Sequence, residues 1–183
     1  WGLGQRNQSL AVVQNLYDKQ PSARLGVYLA KTYMGMDRYA EAVEILYATK
    51  RRFGVNVDLG LTLMDALIFM GRYPEALAVS EETLPVGSSD YRVWTSRGKA
   101  QFYSKNFVQA EKSLSHALLM HPDDEDIKSF LSASKAFLGK ADNRTLQKKI
   151  DPVEMRPVAL ASLVNRDYAE KAKSEGFPAV VHN

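Results

Sequence analysis

The feature that most constrains this chain is an internal repeat with a period of about 34 residues. Three windows begin at Ala23, Val57 and Tyr91, at equal intervals along the chain. Near the middle of each window a short sequence motif recurs, as Tyr39-Ala40-Glu41-Ala42, Tyr73-Pro74-Glu75-Ala76 and Phe107-Val108-Gln109-Ala110. A period of this length is typical of helix-turn-helix units that stack into a solenoid. A solenoid presents a curved surface, so the repeat indicates a binding function and leaves the bound molecule open.

Composition excludes several other classes of protein. The chain has 183 residues, of which 45% are hydrophobic, as in ordinary globular proteins. No run of about 20 apolar residues is present, so we expect a soluble chain with no membrane insertion. Cysteine is absent, which excludes disulfides, thiolate metal sites and a cysteine nucleophile. No signal peptide is visible, and because the chain starts at Trp1 we interpret it as a piece of a longer protein whose compartment stays open.

The third window carries the fullest version of the repeat pattern. With positions numbered 1 to 34, its informative residues are Trp94 at 4, Gly98 at 8, Phe107 at 17, Ala110 at 20, Leu114 at 24, Ala117 at 27 and Pro122 at 32. This pattern resembles that of the tetratricopeptide repeat family, and the resemblance covers roughly residues 5–139. It implies an all-α, right-handed superhelical solenoid in which each unit pairs a helix A with a helix B. Small residues at positions 8 and 20 would let these two helices cross closely, and Ala117 at position 27 would let helix B approach the next helix A.

The repeat divides the chain into a regular array and a different tail. The predicted parts are a helix B-like partial repeat (1–22), three units (23–56, 57–90 and 91–124), a capping helix (125–139) and a C-terminal extension or linker (140–183). Gly139 is expected to end the capping helix as a C′ residue. In the partly irregular tail we expect a helix from Pro157 to Ser174 and an extended segment at 177–181. Residues 138–143, followed by residues 150–153, faintly resemble the junction that leads from a repeat array into a transglutaminase-associated domain.

Charges alternate along the repeats. The three windows carry net charges of +3, −5 and +2. The alternation is sharpest at positions 2 and 9, which share one face of helix A. These positions hold Arg24 and Lys31, then Asp58 and Asp65, then Arg92 and Lys99, and finally Asp126 and Ala133. One interpretation is a groove whose banded charge selects a complementary partner. The other is that neighbouring units satisfy each other, as Arg24 with Asp58 and Asp65 with Lys99.

Aromatic residues accompany these charges on helix A. Phe69, Phe102 and Tyr103 fall at positions 12 and 13, where they could anchor a bound peptide. They could equally pack under the next helix or under the protein's own tail. Within the resembled family, a carboxylate clamp of Lys and Asn at positions 5, 6 and 9 holds chaperone tails. Here position 5 holds Val27, Leu61 and Thr95, and no Asn occupies position 9, so we expect no receptor of that type.

No residue pattern indicates catalysis. His116, His121 and His182 share no metal-ligand spacing, and Asp58 and Asp65 would face an open groove without the burial that tunes an acid/base pair. We therefore expect neither catalytic residues, nor a metal, nor a cofactor. A net charge of +3 gives no argument for nucleic acid as a partner.

The predicted function is that of a non-catalytic scaffold that binds a protein or peptide through the concave face of its A helices. The residues expected to line this face are Arg24, Lys31, Asp58, Asp65, Phe69, Arg92, Lys99, Phe102 and Tyr103. Two alternatives stay open. The array could be a structural spacer or assembly arm whose groove is filled by its own residues 157–183. It could also be the accessory repeat region of an enzyme whose catalytic domain lies outside this chain.

Overall fold

A computed structural model describes residues 3–139, and every regular element in that range is an α-helix. The eight helices are α1 (Leu3–Lys19), α2 (Ala23–Met34), α3 (Tyr39–Phe53), α4 (Val57–Phe69), α5 (Tyr73–Gly87), α6 (Tyr91–Tyr103), α7 (Phe107–Met120) and α8 (Glu125–Leu138). From α2 onward, helices of the same type begin at the interval of the sequence repeat. The predicted all-α solenoid of helix-turn-helix repeats is confirmed. The unit boundaries stay a proposal, which these regular helix starts support.

Each A helix begins at a capping side chain that recurs with the same period. The caps of α2, α4, α6 and α8 are Ser22, Asn56, Asp90 and Asp124, whose side-chain oxygens accept backbone N–H bonds from the first helical turn. The distances are 3.2 Å for Ser22, 2.9 Å for Asn56 and 3.0 Å for both Asp90 and Asp124. Such caps satisfy N–H groups that have no partner inside the helix. They therefore fix where each A helix starts.

The turn from helix A to helix B has the same backbone conformation in all three units. Its central residue is left-handed, with φ of 59° at Asp37, 73° at Gly71 and 61° at Lys105. The next residue donates its N–H five residues back, at 2.8 Å from Arg72 to Leu67 and at 2.9–3.0 Å in the other two turns. This bond is the signature of a Schellman motif, which reverses the chain in a few residues. Pro74 lies in the first turn of α5, where its missing N–H costs nothing.

Small residues allow each A helix to cross its B helix closely. Ala42, Ala76 and Ala110, all at position 20, are fully buried. A Cβ added to Gly98 at position 8 would lie 2.6 Å from Leu114 Cγ. Position 27 differs from expectation, because Thr49 packs against Gly26, and Thr83 against Gly60, in the A helix of the same unit. The glycine at position 4 thus gives room for the threonine at position 27 of the same unit.

The A helices form a continuous layer. Helices α2, α4, α6 and α8 contact one another in series, while each B helix packs between two A helices. Two buried clusters fill the interior, one centred on α2 to α5 and the other on α6 to α8. Among the described residues, no helix combines the length and apolar character needed to cross a bilayer.

The predicted capping helix ends with a small difference from expectation. Helix α8 stops at Leu138, but Gly139 has a right-handed backbone (φ −67°) in place of the left-handed C′ conformation. The expected helix Pro157–Ser174, the extended segment 177–181 and most of the junction-like stretch 138–143 lie outside the described residues, as does the predicted contact of residues 157–183 with the array.

Candidate functional site

The candidate site is the surface of α2, α4, α6 and α8 that carries repeat positions 2, 5, 6, 9, 12 and 13, here called the helix-A face. The structure places the nine predicted residues at three depths. Arg24, Asp58 and Arg92 are exposed; Lys31, Asp65, Phe69 and Tyr103 are partly buried; Lys99 and Phe102 are buried. The accessible part of the face is therefore smaller than the sequence pattern predicts.

The accessible charges follow one edge of the helix-A face, at the first turn of each A helix. We call Arg24, Asp58, Arg92 and Asp126 the charged rim; their signs alternate from α2 to α8, and Asp126 is the least exposed of them. Arg92 Nη2 lies 3.9 Å from Asp58 Oδ1 on the neighbouring A helix and 2.6 Å from the capping residue Asp90. The side chains of Arg92 and Asp58 are 47% and 59% exposed. A partner that reaches this edge therefore meets charges that are held in place but accessible.

A second row of charges lies deeper in the same face. This inner row consists of Lys31, Asp65 and Lys99 at position 9. Ser96 donates a hydrogen bond to Asp65 Oδ1 at 3.0 Å. Burial raises the pKa of the Asp65 carboxyl, against the opposing effects of Lys99, the Ser96 hydroxyl and Lys31. Asp65 is thus a desolvated carboxylate flanked by cations from both neighbouring A helices.

Lys99 is the most enclosed of the predicted charges. It is only 7% exposed, forms an ion pair with Asp126 and lies with its Nζ 5.2 Å from the centre of the Phe130 ring. The sequence interpretation paired Asp65 with Lys99, and the Lys99 charge does act on Asp65. Lys99 also forms a direct ion pair with Asp126 on α8, and Asp58 lies within ion-pair distance of Arg92. Neighbouring A helices therefore compensate much of each other's charge.

Aromatic rings form three stacks that join consecutive units. Position 17 of one unit stacks on position 13 of the next: Tyr39 on Phe69, Tyr73 on Tyr103 and Phe107 on Phe137, with ring centres 3.8, 5.4 and 4.5 Å apart. Burial raises the pKa of Tyr103 to about 12, with further contributions from Tyr73 and Asp126. Phe69 and Tyr103 thus serve the contact between units while staying partly accessible at the opposite edge from the charged rim.

Phe102 does not belong to the accessible face. It is 2% exposed, and its ring lies 5.4–5.9 Å from those of Phe107, Phe130, Phe137 and Tyr103. At position 12 the side chain enters the gap between α6 and α8 and fills the core there, because that gap is lined by other aromatic rings. This burial corrects the expectation that Phe102 lines the groove.

The two described histidines pack against aromatic rings. His116 lies edge-on to Trp94, and His121 stacks on Tyr91. Within residues 3–139 no cluster of three or more His, Asp or Glu side chains has an arrangement that could hold a metal ion.

Comparisons with known proteins identify the fold. No family model and no curated protein sequence matches this chain. The first tetratricopeptide domain of human RPAP3 is similar, with a TM-score of 0.63 at 17% identity over 67% of this chain and 96% of that domain. The first such domain of Spaghetti, solved with the HSP90 peptide SRMEEVD, gives 0.62 at 17% over 64% and 94%. MamA from Desulfovibrio magneticus RS-1 gives 0.68 at 13% over 90% and 88%. The chain therefore has the tetratricopeptide repeat fold, as its repeat pattern indicates.

Proposed function

We propose that residues 3–139 form a non-catalytic module that binds an extended segment of another protein on the helix-A face. The observation that carries this proposal is the charged rim, because it keeps charged side chains such as Arg92 and Asp58 accessible on the same face as partly buried aromatic rings. Accessible charges give specificity, and aromatic rings give contact area at small entropic cost. The similar domain of Spaghetti carries a bound peptide, which supports the same class of ligand here.

Selection from a random peptide library would test this proposal. Peptides of about 12 residues, long enough to cross four A helices in extended form, are selected on the full chain, and their affinities are measured by fluorescence anisotropy. Arg24→Glu, on the charged rim, should weaken binding of the selected peptides about tenfold. Arg51→Glu, an equal charge change at an exposed site on α3, is the matched control and should leave the affinity unchanged. Equal effects of both changes would contradict binding on this face.

The alternative occupant of the face is the chain's own tail. The expected helix from Pro157 to Ser174 would be about 27 Å long at 1.5 Å per residue. Four helices packed at 8–10 Å spacing span about 24–30 Å, so such a helix would match the width of the face. This match favours a spacer or assembly arm with a filled groove as the second candidate function.

Cross-linking can separate the two candidates, because the chain has no cysteine of its own. One variant combines Asp58→Cys with Ala169→Cys; the control combines Ala78→Cys, exposed on α5, with the same tail change. A filled groove predicts a concentration-independent intramolecular link by a short bismaleimide in the first variant only. Equal linking in both variants, or none in either, would argue against the tail as occupant.

A further inference from the structure

We propose that the bound segment is an extended peptide whose charges alternate in sign at every third residue. This inference rests on the proposed function and adds the chemical pattern of the partner. It starts from the charged rim, in which positive Arg24, negative Asp58, positive Arg92 and negative Asp126 follow one another on α2, α4, α6 and α8. The contact of 3.9 Å between Arg92 and Asp58 shows that these two successive rim charges are direct neighbours.

The spacing expected for packed A helices matches an extended chain with a period of three residues. Helices that pack side by side lie about 8–10 Å apart. An extended chain advances about 3.3 Å per residue, so three residues cover about 10 Å. A peptide that crosses the A helices would therefore place residues i, i+3, i+6 and i+9 over four successive A helices, each of which carries one rim residue. From α2 to α8 the complementary signs are negative, positive, negative and positive.

The charged rim should distinguish peptides by the order of their charges and not by their net charge. Its four side chains sum to zero, so a uniformly acidic or basic peptide gains at two positions and loses at the other two. The inner row repeats the same order of signs on α2, α4 and α6, with Lys31, Asp65 and Lys99. The contact between Arg92 and Asp58 joins two exposed side chains, so a partner can replace it at little cost.

Peptides with equal composition and different charge order would test the inference on the full chain. The alternating peptide carries acidic residues at its first and seventh positions and basic residues at its fourth and tenth. The block peptide has the two acidic residues first and the two basic residues last, at the same four positions. Each peptide is made in both chain directions, and its affinity for the full chain is measured by fluorescence anisotropy. In the chain direction that binds more tightly, the alternating peptide should have about tenfold higher affinity than the block peptide in either direction.

A charge swap within the rim supplies the matched variant. Asp58→Arg combined with Arg92→Asp exchanges two charges in contact, keeps the net charge and changes the rim to two cations followed by two anions. This variant should prefer the block peptide by about the same factor. Its thermal melting curve checks the fold. If it fails to fold, Arg24→Asp with Asp58→Arg replaces it and should prefer peptides with like charges at their two central sites.

The outcomes separate this inference from the proposed function. Equal affinity for alternating and block peptides, with binding that still depends on Arg24, would overturn the charge pattern and leave peptide binding on this face intact. A preference that the swap does not change would also overturn the inference, because the preference would then arise elsewhere. Absence of any peptide whose binding depends on Arg24 would overturn the proposed function, and the inference with it.

Discussion

Replacing Gly60 with alanine should destabilise the array through one specific collision. A Cβ built on Gly60 would lie 2.2 Å from Thr83 Oγ1, 2.6 Å from its Cγ2 and 3.0 Å from its Cβ. Thr83 is fully buried, and its hydroxyl donates to the Val79 carbonyl at 2.7 Å. Both branches of the threonine and its Cβ face the added methyl group, so rotation about χ1 alone does not remove every close contact. The helix backbones must therefore separate, or the threonine must lose its hydrogen bond.

The magnitude follows from two opposing effects. Overpacking a core costs about 1–3 kcal/mol, and three contacts this short place Gly60→Ala at the upper end. Exchange of glycine for alanine inside a helix returns about 1 kcal/mol. The expected net loss is about 2 kcal/mol in the free energy of unfolding, measured by urea denaturation. Thr83→Ala removes the obstacle while the gain from alanine remains, so the double-mutant cycle should show a coupling energy of about 3 kcal/mol, the whole overpacking cost.

The control for this prediction is Gly35→Ala, where the added Cβ would meet only backbone carbonyls at ordinary distances of 3.5 and 3.6 Å. That change should alter stability by less than about 0.5 kcal/mol. In the third unit the two sizes are exchanged, because position 4 holds bulky Trp94 and position 27 holds small Ala117. A larger residue at position 4 is thus accompanied by a smaller one at position 27, as in the Gly60→Ala, Thr83→Ala double variant. A Gly60→Ala chain as stable as the parent, or a coupling energy no larger than the usual error of additivity, would refute this account of the packing.

Three further changes have defined expectations. A double-mutant cycle of Phe107→Leu and Phe137→Leu should give a coupling energy of about 0.5–1.5 kcal/mol by urea denaturation, and additive effects would contradict a stabilising stack. Because burial raises the folded-state pKa of Asp65, its proton stabilises the fold below the usual pKa of 3.8, and that stability is lost as pH rises through the higher folded value. The free energy of unfolding of Asp65→Asn, measured by urea denaturation, should therefore rise relative to that of the parent between pH 4 and pH 7. A difference that instead shrinks over this range would contradict a raised pKa of Asp65. Asp124→Ala should cost about 0.5–2 kcal/mol and lower the helical signal of α8, because two N–H bonds are lost; an unchanged melting temperature would argue against this cap.

The sequence predicted the scaffold well because the scaffold depends on contacts within one unit. Alanine at position 20, such as Ala76, recurs once in every repeat for a local steric reason, so its role is visible without a structure. The helix caps left an equally clear signal in the sequence, at a fixed position of the repeat that Asp124 occupies before α8. Ser22, Asn56 and Asp90 stand at the same position of the earlier units, and all are residue types that favour the N-cap.

The aromatic stacks left a weaker trace in the sequence. Rings at positions 17 and 13 of consecutive units are separated by a constant offset along the chain, as in Tyr73 and Tyr103, and this offset could have identified the pairs. The depth of Phe102 could not be obtained in the same way. Its burial depends on the rings of Phe130 and Phe137 across the gap to α8, and position 12 of one helix does not reveal what the next helix places opposite it.

The charged residues show why a shared helix face does not imply a shared role. Lys99 and Arg92 both alternate in sign with their neighbours, yet Lys99 is buried beside Asp126 and Phe130 while Arg92 stays exposed. Removing one partner from a buried ion pair costs about 3–5 kcal/mol, which an extended peptide would not recover at a single contact. Exchanging an exposed pair costs about 0–1 kcal/mol. A partner should therefore compete for the exposed contact of Arg92 with Asp58 and approach Asp126 without displacing its Lys99 pair. The inner row then maintains the alternating field while the exposed rim side chains make the contacts.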